Sequence, residues 1–318
     1  MPPRKAKKPA VAAKKVRVAA NKVRVASHCA PARFGEYERS GSCLEGKEVT
    51  AVARAVGVGV GVGVGVGVGT RERTLLSRVH AVLGTQPGRE EQWTTHPGVP
   101  AAQRRTLLEA FRPEHPRVWL ENPRQWLNTN DIREVMTQYE KHTRGFRFVG
   151  VVPIDFDKPM GPARSSCVAP EMCRLSVADM LKQRVTQFGV VMNLNTHDQQ
   201  RSHWVACYGC IDPGRPRRFG VWYYDSVAQP PPPEVAEFEK RLRGQVRQLM
   251  GASVASRFKV RSNRVRRQFE NTECGIYAML FIVACITTDH TFGSICTRMG
   301  DDARMNALRD VLFRPPRP

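Results

Sequence analysis

Cys274 stands directly ahead of a nearly all-apolar run, CGIYAMLFIVACI, which reads as a buried helix. A thiol at a helix N-terminus faces unpaired N–H groups and the positive end of the helix dipole. Both stabilise thiolate, and thiolate is the nucleophile. Gly275 follows, and its lack of a side chain would let a substrate carbonyl approach the backbone. Taken alone, Cys274 is better read as a small core residue, the reading that suits Cys285, since free cysteines are usually buried packing. Three further residues turn the balance towards nucleophilic catalysis. His203 opens a strand after the polar turn HDQQRS, a place where an imidazole is available as general base. Asp225 closes the run FGVWYYDS; if the two strands are neighbours, its carboxylate meets the second imidazole nitrogen and fixes the tautomer. Gln268 lies six residues before Cys274, on the loop leading into its helix. Its side-chain amide and the Cys274 N–H would bind the oxyanion of a tetrahedral intermediate, where one such donor is worth about 3 kcal/mol. Spacing alone does not establish these contacts.

The elements that must position them follow from hydrophobic period. WLNTNDIREVMTQYEKH is a helix capped by Asn128 or Thr129, with Ile132, Val135, Met136 and Tyr139 as its apolar stripe. FRFVGVVPIDF reads as a strand and turn, and LSVADMLKQR as a helix with Ser176 at its N-cap. FGVVMNLN, HWVACYGCI and FGVWYYDS are β-rich runs, the last stopped by QPPPP. EVAEFEKRLRGQVRQLM is an amphipathic helix with Val235, Phe238, Leu242, Val246 and Leu249 on one face, and FKVRSN is a further strand before the Cys274 helix. The order makes an α+β domain.

Upstream, composition changes. Residues 1 to 33 hold ten Lys or Arg and no acid, the pattern of a disordered basic arm. Val56 to Gly69 are seven Val-Gly repeats, expected to be a flexible linker because every second position has nothing to pack. Order is expected from about Thr70, where Leu75, Val79 and Leu83 take helical spacing. The expected division is therefore 1–69 arm and linker, 70–117 a lead-in, and 118–318 the compact domain.

The 318 residues carry 50 Lys+Arg against 29 Asp+Glu, a net charge of +21, which speaks for a polyanionic partner such as nucleic acid, with a solvated basic surface as the alternative. Nine cysteines, odd in number and without framework spacing, point to free thiols in a reducing compartment. The basic N-terminus has no apolar core of signal length, so an intracellular rather than secreted protein is expected. No membrane span is expected either, since no long apolar run occurs.

SHWVA, YYDS and QFENTECGIY, in that order, closely resemble the His-Trp, Asp and Gln-x5-Cys-Gly signature of the ubiquitin-like-specific and adenain-like cysteine proteases. WLNTNDIREVMTQY resembles the helix, beginning WLND, that opens the family's catalytic domain; the resemblance covers about residues 118 to 290. It implies a central mixed sheet flanked by helices, with the nucleophile at a helix N-terminus. It further implies that Cys274 attacks, His203 is the base, Asp225 orients it and Gln268 lines the oxyanion hole, without metal or cofactor. Trp204 and Trp126 match two tryptophans that form a narrow tunnel over the scissile bond, hence a preference for Gly-Gly before the cut; core packing is the alternative for either. The Asp of WLND is Thr129 here, a departure that weakens a deconjugating reading. FGVVMNLNTHDQQRSHWVACYG and DDARMNALRDVLFRP look more like the processing proteases of large DNA viruses, which cut structural polyproteins. The implied partners are a structural polyprotein, or alternatively a ubiquitin-like conjugate, with DNA held by the basic arm, in a virion or host cytoplasm or nucleus. A nucleic-acid-binding protein with an inactive protease fold is the third reading, and the intact His, Asp, Gln and Cys set argues against it. The chain has no Gly-Gly of its own, so self-processing at such a site is not expected.

Three other features have blander accounts beside them. Cys207 and Cys210 with Cys167 and Cys173 would make a four-thiolate zinc site, against packing or surface thiols. The prolines at 230–233 read as a rigid turn or a ligand for a proline-binding module. Arg261, Arg264, Arg266 and Arg267 would suit an acidic substrate or DNA, or a solvated loop.

Overall fold

A computed structural model describes residues 28–33, 37–38, 40–61, 68–162, 165–200 and 202–315. The chain divides into two compact units, one of Met1–Glu114 with Asp310–Pro318, the other of His115–Arg309.

The first unit contains helices α1 (Gly46–Ala55), α2 (Val68–Leu83) and α3 (Ala101–Leu108). A capping box starts α1, with the Glu45 N–H donating to Glu48 Oε2 at 2.7 Å. Val49, Val52 and Ala53 of α1 pack with Leu76, Val79 and Leu83 of α2 and with Trp93 and Phe111. This corrects the expectation that order begins near Thr70. GKEVTAVARA carries apolar residues at helical spacing, a signal hidden between two low-complexity neighbours. Even the start of the Val-Gly stretch is used, since Val58 is buried in the same cluster. Positions 62–67 of that stretch and 1–27 of the expected arm lie outside the described residues.

The second unit opens with α4 (Thr129–His142), where the Asn128 side chain accepts from the Asn130 and Asp131 amides at 2.7 and 3.1 Å, so Asn128 is the cap and Thr129 the first helical residue. Strand β1 (Phe146–Pro153), a small antiparallel pair β2 (Pro159–Met160) and β3 (Ser166–Cys167), and short helices α5 (Pro170–Cys173) and α6 (Val177–Lys182) follow. Ser176 caps α6 as expected. Then come β4 (Gln187–Asn193), β5 (Trp204–Cys210), β6 (Gly220–Tyr224), α7 (Pro233–Met250), α8 (Ala252–Ser256), β7 (Lys259–Ser262), α9 (Cys274–Thr287), α10 (Phe292–Arg298) and α11 (Asp302–Leu312), the last of which belongs to this unit as far as Arg309. The sheet order is β1-β4-β5-β6-β7, with parallel outer pairs and antiparallel pairs at the centre.

This is the expected α+β architecture of a mixed sheet flanked by helices. Strands β4, β5 and β6 are buried along their whole length, which is why they read as apolar runs rather than alternating ones. On one face, Val235, Phe238, Leu242 and Val246 of α7 meet Phe188, Val205 and Tyr223; Leu249, expected on that stripe, is exposed at the helix end. On the other face lies α9, whose Phe281 stacks on Tyr224 at 4.8 Å. A Cβ at Gly189 would stand 2.7 Å from Ile282, so glycine in β4 lets the Cys274 helix press onto the sheet backbone.

Two pairs of cysteines form disulfides, Cys29–Cys43 and Cys167–Cys173, which corrects the expectation that every thiol is free and removes the argument for a reducing compartment. No helix among the described residues is long and apolar enough to cross a membrane.

Candidate active site

Antiparallel pairing of β5 with β6, with Ala206 opposite Tyr224, sets the start of one strand beside the end of the other. His203 immediately precedes β5 and Asp225 immediately follows β6. His203 Nε2 donates to Asp225 Oδ1 at 2.6 Å. The fully buried carboxylate also accepts from the Val227 amide at Oδ1 and the Gln229 amide at Oδ2, both at 3.0 Å. Three donors thus fix its direction.

The Cys274 side chain lies near enough to the imidazole to act on its protonation. With Nε2 committed to Asp225, Nδ1 is the nitrogen left for sulfur. Burial alone would depress the His203 pKa, but its interactions with the Asp225 and Cys274 side chains, and their negative charges, outweigh it and raise the group from 6.5 to about 9. Cys274 is the first residue of α9, at the helix N-terminus that the sequence pattern required.

Gln268 is buried, and its Oε1 accepts from Ser226 Oγ at 2.6 Å while its Nε2 donates to the Glu270 carbonyl at 2.9 Å. Its backbone N–H donates to the Ser226 carbonyl at 3.0 Å. Ser226 follows Asp225 directly, so one turn seats both the carboxylate and the amide. The second N–H of the Gln268 amide is the one available for an oxyanion.

Trp204 is buried and donates from Nε1 to the Leu127 carbonyl at 3.1 Å, while Trp126, next to Leu127, is 39% exposed. A Cβ on Gly275 would lie 2.9 Å from Leu127 Cδ1 and 3.3 Å from Trp204 Cδ1. The space that glycine leaves is therefore filled by Leu127 and Trp204, not left open for a substrate carbonyl as the sequence reading had it. Against Trp204 opens a 610 Å³ cleft lined by polar groups that include Thr129, Asn193, Asn195, His197 and Gln200. Asn193 Nδ2 is buried there without a hydrogen-bond partner.

The sequence reading passed over two neighbours. His197 Nδ1 bonds Asp155 Oδ2 at 2.6 Å, a second His–Asp pair at the cleft. Asn263 braces Asp225 from the end of β7; its only signal was a polar residue closing FKVRSN.

The other cysteines do not make a metal site. Cys167 and Cys173 are bonded to each other, and Cys207 and Cys210, three apart on β5, point to opposite faces. Burial pushes the thiols of Cys207, Cys210 and Cys285 up, and that of Cys296 to about 12, so all four stay protonated and inert near neutrality. In the arginine cluster, Arg266 covers the exposed Phe269 ring at 4.9 Å and Arg267 donates to the Thr297 carbonyl at 3.0 Å. The proline run ends in the cap and first turn of α7.

Residues 189–310 match the Ulp1 protease family, C-terminal catalytic domain. A protein named "Putative thiol protease" from Acanthamoeba polyphaga mimivirus is 24% identical over 208 residues, 65% of this chain and 62% of the relative. A SUMO-1 cysteine protease of African swine fever virus is 27% identical over 134 residues, 42% of this chain and 46% of the relative. The chain thus spans less than two thirds of the length of either. A crystal structure of an African swine fever virus protease has the same fold, with a TM-score of 0.61 at 18% identity, over 92% of this chain and 97% of that one. The matched segment contains SHWVA, YYDS and QFENTECGIY, the stretches that carry the resemblance in the sequence.

Proposed function

We propose that this chain is a cysteine endopeptidase that cuts after Gly-Gly-type sites and matures viral structural polyproteins. The observation that carries it is the 2.6 Å bond between Asp225 and His203, with Cys274 near the imidazole at the head of α9. The Cys274 thiolate attacks the scissile carbonyl carbon, and the oxyanion takes hydrogen bonds from the Cys274 N–H and Gln268 Nε2. The His203 imidazolium gives its proton to the leaving amine, the C–N bond breaks, and an acyl-thioester remains on Cys274. Water then attacks the thioester, losing a proton to neutral His203, and the restored thiolate leaves a free carboxylic acid. No metal or cofactor takes part in these steps.

The Gly-Gly preference rests on the neighbourhood of the thiol. Trp204 and Leu127 close over Gly275, and Trp126 stands exposed beside them, so a chain reaching Cys274 passes aromatic walls. The cleft beside Trp204 offers Asn193 Nδ2 to a peptide carbonyl. The viral origin of the relatives supports a processing role. One relative's designation as a SUMO-1 cysteine protease favours a second reading, deconjugation of a ubiquitin-like protein; Thr129, at the position of the family's Asp, argues against it.

The test is to incubate the chain with a capsid precursor bearing Gly-Gly-X and with a SUMO fusion, and to sequence the new N-termini. Cleavage of the first alone supports polyprotein processing; cleavage of the second selects deconjugation. Cutting that survives both Cys274→Ala and iodoacetamide, or stops with chelator alone, rules out the thiol mechanism. A chain that binds DNA equally well with Cys274→Ala and cuts nothing is the inactive-fold reading.

A further inference from the structure

We infer that Asp302, Asn306 and Arg309 are positioning residues that hold the oxyanion loop and the Trp126 segment in register with Cys274. The inference rests on the proteolytic reading above. The three residues stand at i, i+4 and i+7 on α11 and so share one face. That face meets the loop ahead of Cys274 and the Gln125 carbonyl. Asp302 Oδ2 accepts the amides of Phe269 and Glu270 at 2.7 and 3.0 Å, the two residues after Gln268. The Tyr277 hydroxyl lies between Asp302 Oδ1 at 3.1 Å and the Arg267 carbonyl at 2.9 Å, both acceptors for its one proton. Asn306 Nδ2 donates to Glu273 Oε1 at 2.8 Å, and the Glu273 carboxylate in turn takes the Thr272 amide and hydroxyl at 2.9 and 2.7 Å. Arg309 donates from Nη2 to the Thr272 carbonyl at 3.0 Å and from Nη1 to the Gln125 carbonyl at 2.9 Å, with its guanidinium 4.7 Å over Trp119.

Each contact ends one step from a group used in catalysis. The Gln268 amide donates one N–H to the Glu270 carbonyl, so the backbone at Glu270 decides where the other N–H points. Asp302 holds that backbone. Arg309 joins the residue before Trp126 to the loop that ends at Cys274, with a fork that reaches two carbonyls from one plane. Asp302, Glu273 and Arg309 are all buried, at 8, 0 and 4% exposure. Burying three charges to pin a loop is costly where apolar packing would serve stability alone. Oxyanion donors, by contrast, lose their effect when displaced by about an ångström.

The distinguishing measurement compares peptide turnover with alkylation of Cys274, because alkylation uses the thiolate and not the oxyanion donors. In Asp302→Asn, whose amide keeps one acceptor oxygen for two backbone donors, kcat on a Gly-Gly-X peptide falls about tenfold or more at little change in KM. The rate of iodoacetamide modification of Cys274 stays within about twofold of the wild type, as expected when the imidazole pair is intact. Arg309→Lys keeps the charge but loses the fork; turnover falls while alkylation again holds, so the inference stays testable if Asp302→Asn does not fold. Unchanged turnover in both variants overturns the inference, as does a parallel fall of turnover and alkylation, which marks general distortion. A wild-type chain that cleaves no such peptide overturns the proteolytic reading and this inference with it, whereas an active wild type with indifferent variants sinks this inference alone.

Discussion

Asn263 and Asp225 exchange two hydrogen bonds across the ends of β7 and β6: the Asp225 amide donates to Asn263 Oδ1 at 2.9 Å, and Asn263 Nδ2 donates to the Asp225 carbonyl at 2.6 Å. Both residues are buried. The pair fixes the backbone that aims the carboxylate at His203. Asn263→Ala strands a buried amide and carbonyl, at an expected cost of about 1–3 kcal/mol in urea unfolding and with a fall in kcat. Asn263→Asp keeps the acceptor but sets a carboxylate against the Asp225 carbonyl, so it should be the worse of the two in the same unfolding experiment. Equal stability of all three chains would show that the brace contributes nothing.

Asp225 governs pH dependence through His203. The folded imidazole titrates at about 9 against 6.5 when unperturbed. A group raised in this way contributes its full stabilisation below pH 6.5 and loses it as pH climbs towards 9. The same proton is needed by the leaving amine, so kcat/KM should descend on the alkaline side near 9. Asp225→Asn removes the carboxylate charge: kcat falls by about 10²–10⁴, the descending limb moves to lower pH, and stability between pH 6.5 and 9 becomes flatter. A pH–rate profile of the variant that keeps the wild-type limb would detach Asp225 from His203.

What could be read from sequence was whatever local pattern and burial dictate together. Strands β4 to β6 announced themselves because both faces are covered, and Asn128 and Ser176 because a cap needs only neighbours two or three residues away. His203, Asp225 and Cys274 were legible as strand-end and helix-start residues, and the antiparallel β5–β6 pairing supplied the rest. Asp302, Asn306 and Arg309 were not legible, since their partners are loop atoms 32 to 184 residues distant along the chain, and periodicity carries no trace of such contacts. The helix at Gly46–Ala55 was lost for a different reason: a ten-residue amphipathic stretch between a polybasic segment and a Val-Gly repeat has little compositional contrast.

Gly275 separates packing from chemistry. Because a Cβ there meets Leu127 and Trp204, Gly275→Ala should destabilise by about 1–3 kcal/mol through overpacking and, by moving Leu127, displace the adjoining Trp126 and reduce turnover. Gly244, exposed within α7 and with no atom within 4 Å of where a Cβ would stand, is the matched control. Gly244→Ala should stabilise by about 0.5–1 kcal/mol and leave turnover alone. Thermal unfolding and peptide kinetics on the two variants decide it: a harmless Gly275→Ala would mean that the Leu127–Trp204 contact is loose enough to yield.

The basic arm offers the sharpest separation of binding from catalysis, provided the cut falls in the right place. Removing residues 1–69 would take away Cys29 and the α1 core residues Val49 and Val52, and so would damage the first unit as well as the arm. Removing 1–27 deletes nine Lys or Arg and spares those contacts. Each basic residue bound to a phosphate releases a counterion, so this shorter deletion should weaken binding to duplex DNA and reduce the slope of log affinity against log salt. Peptide turnover should be unchanged, because the contacts described for His203, Asp225 and Gln268 come from the second unit. An unaltered salt slope would place DNA binding elsewhere or nowhere, and loss of turnover would make the arm part of the enzyme.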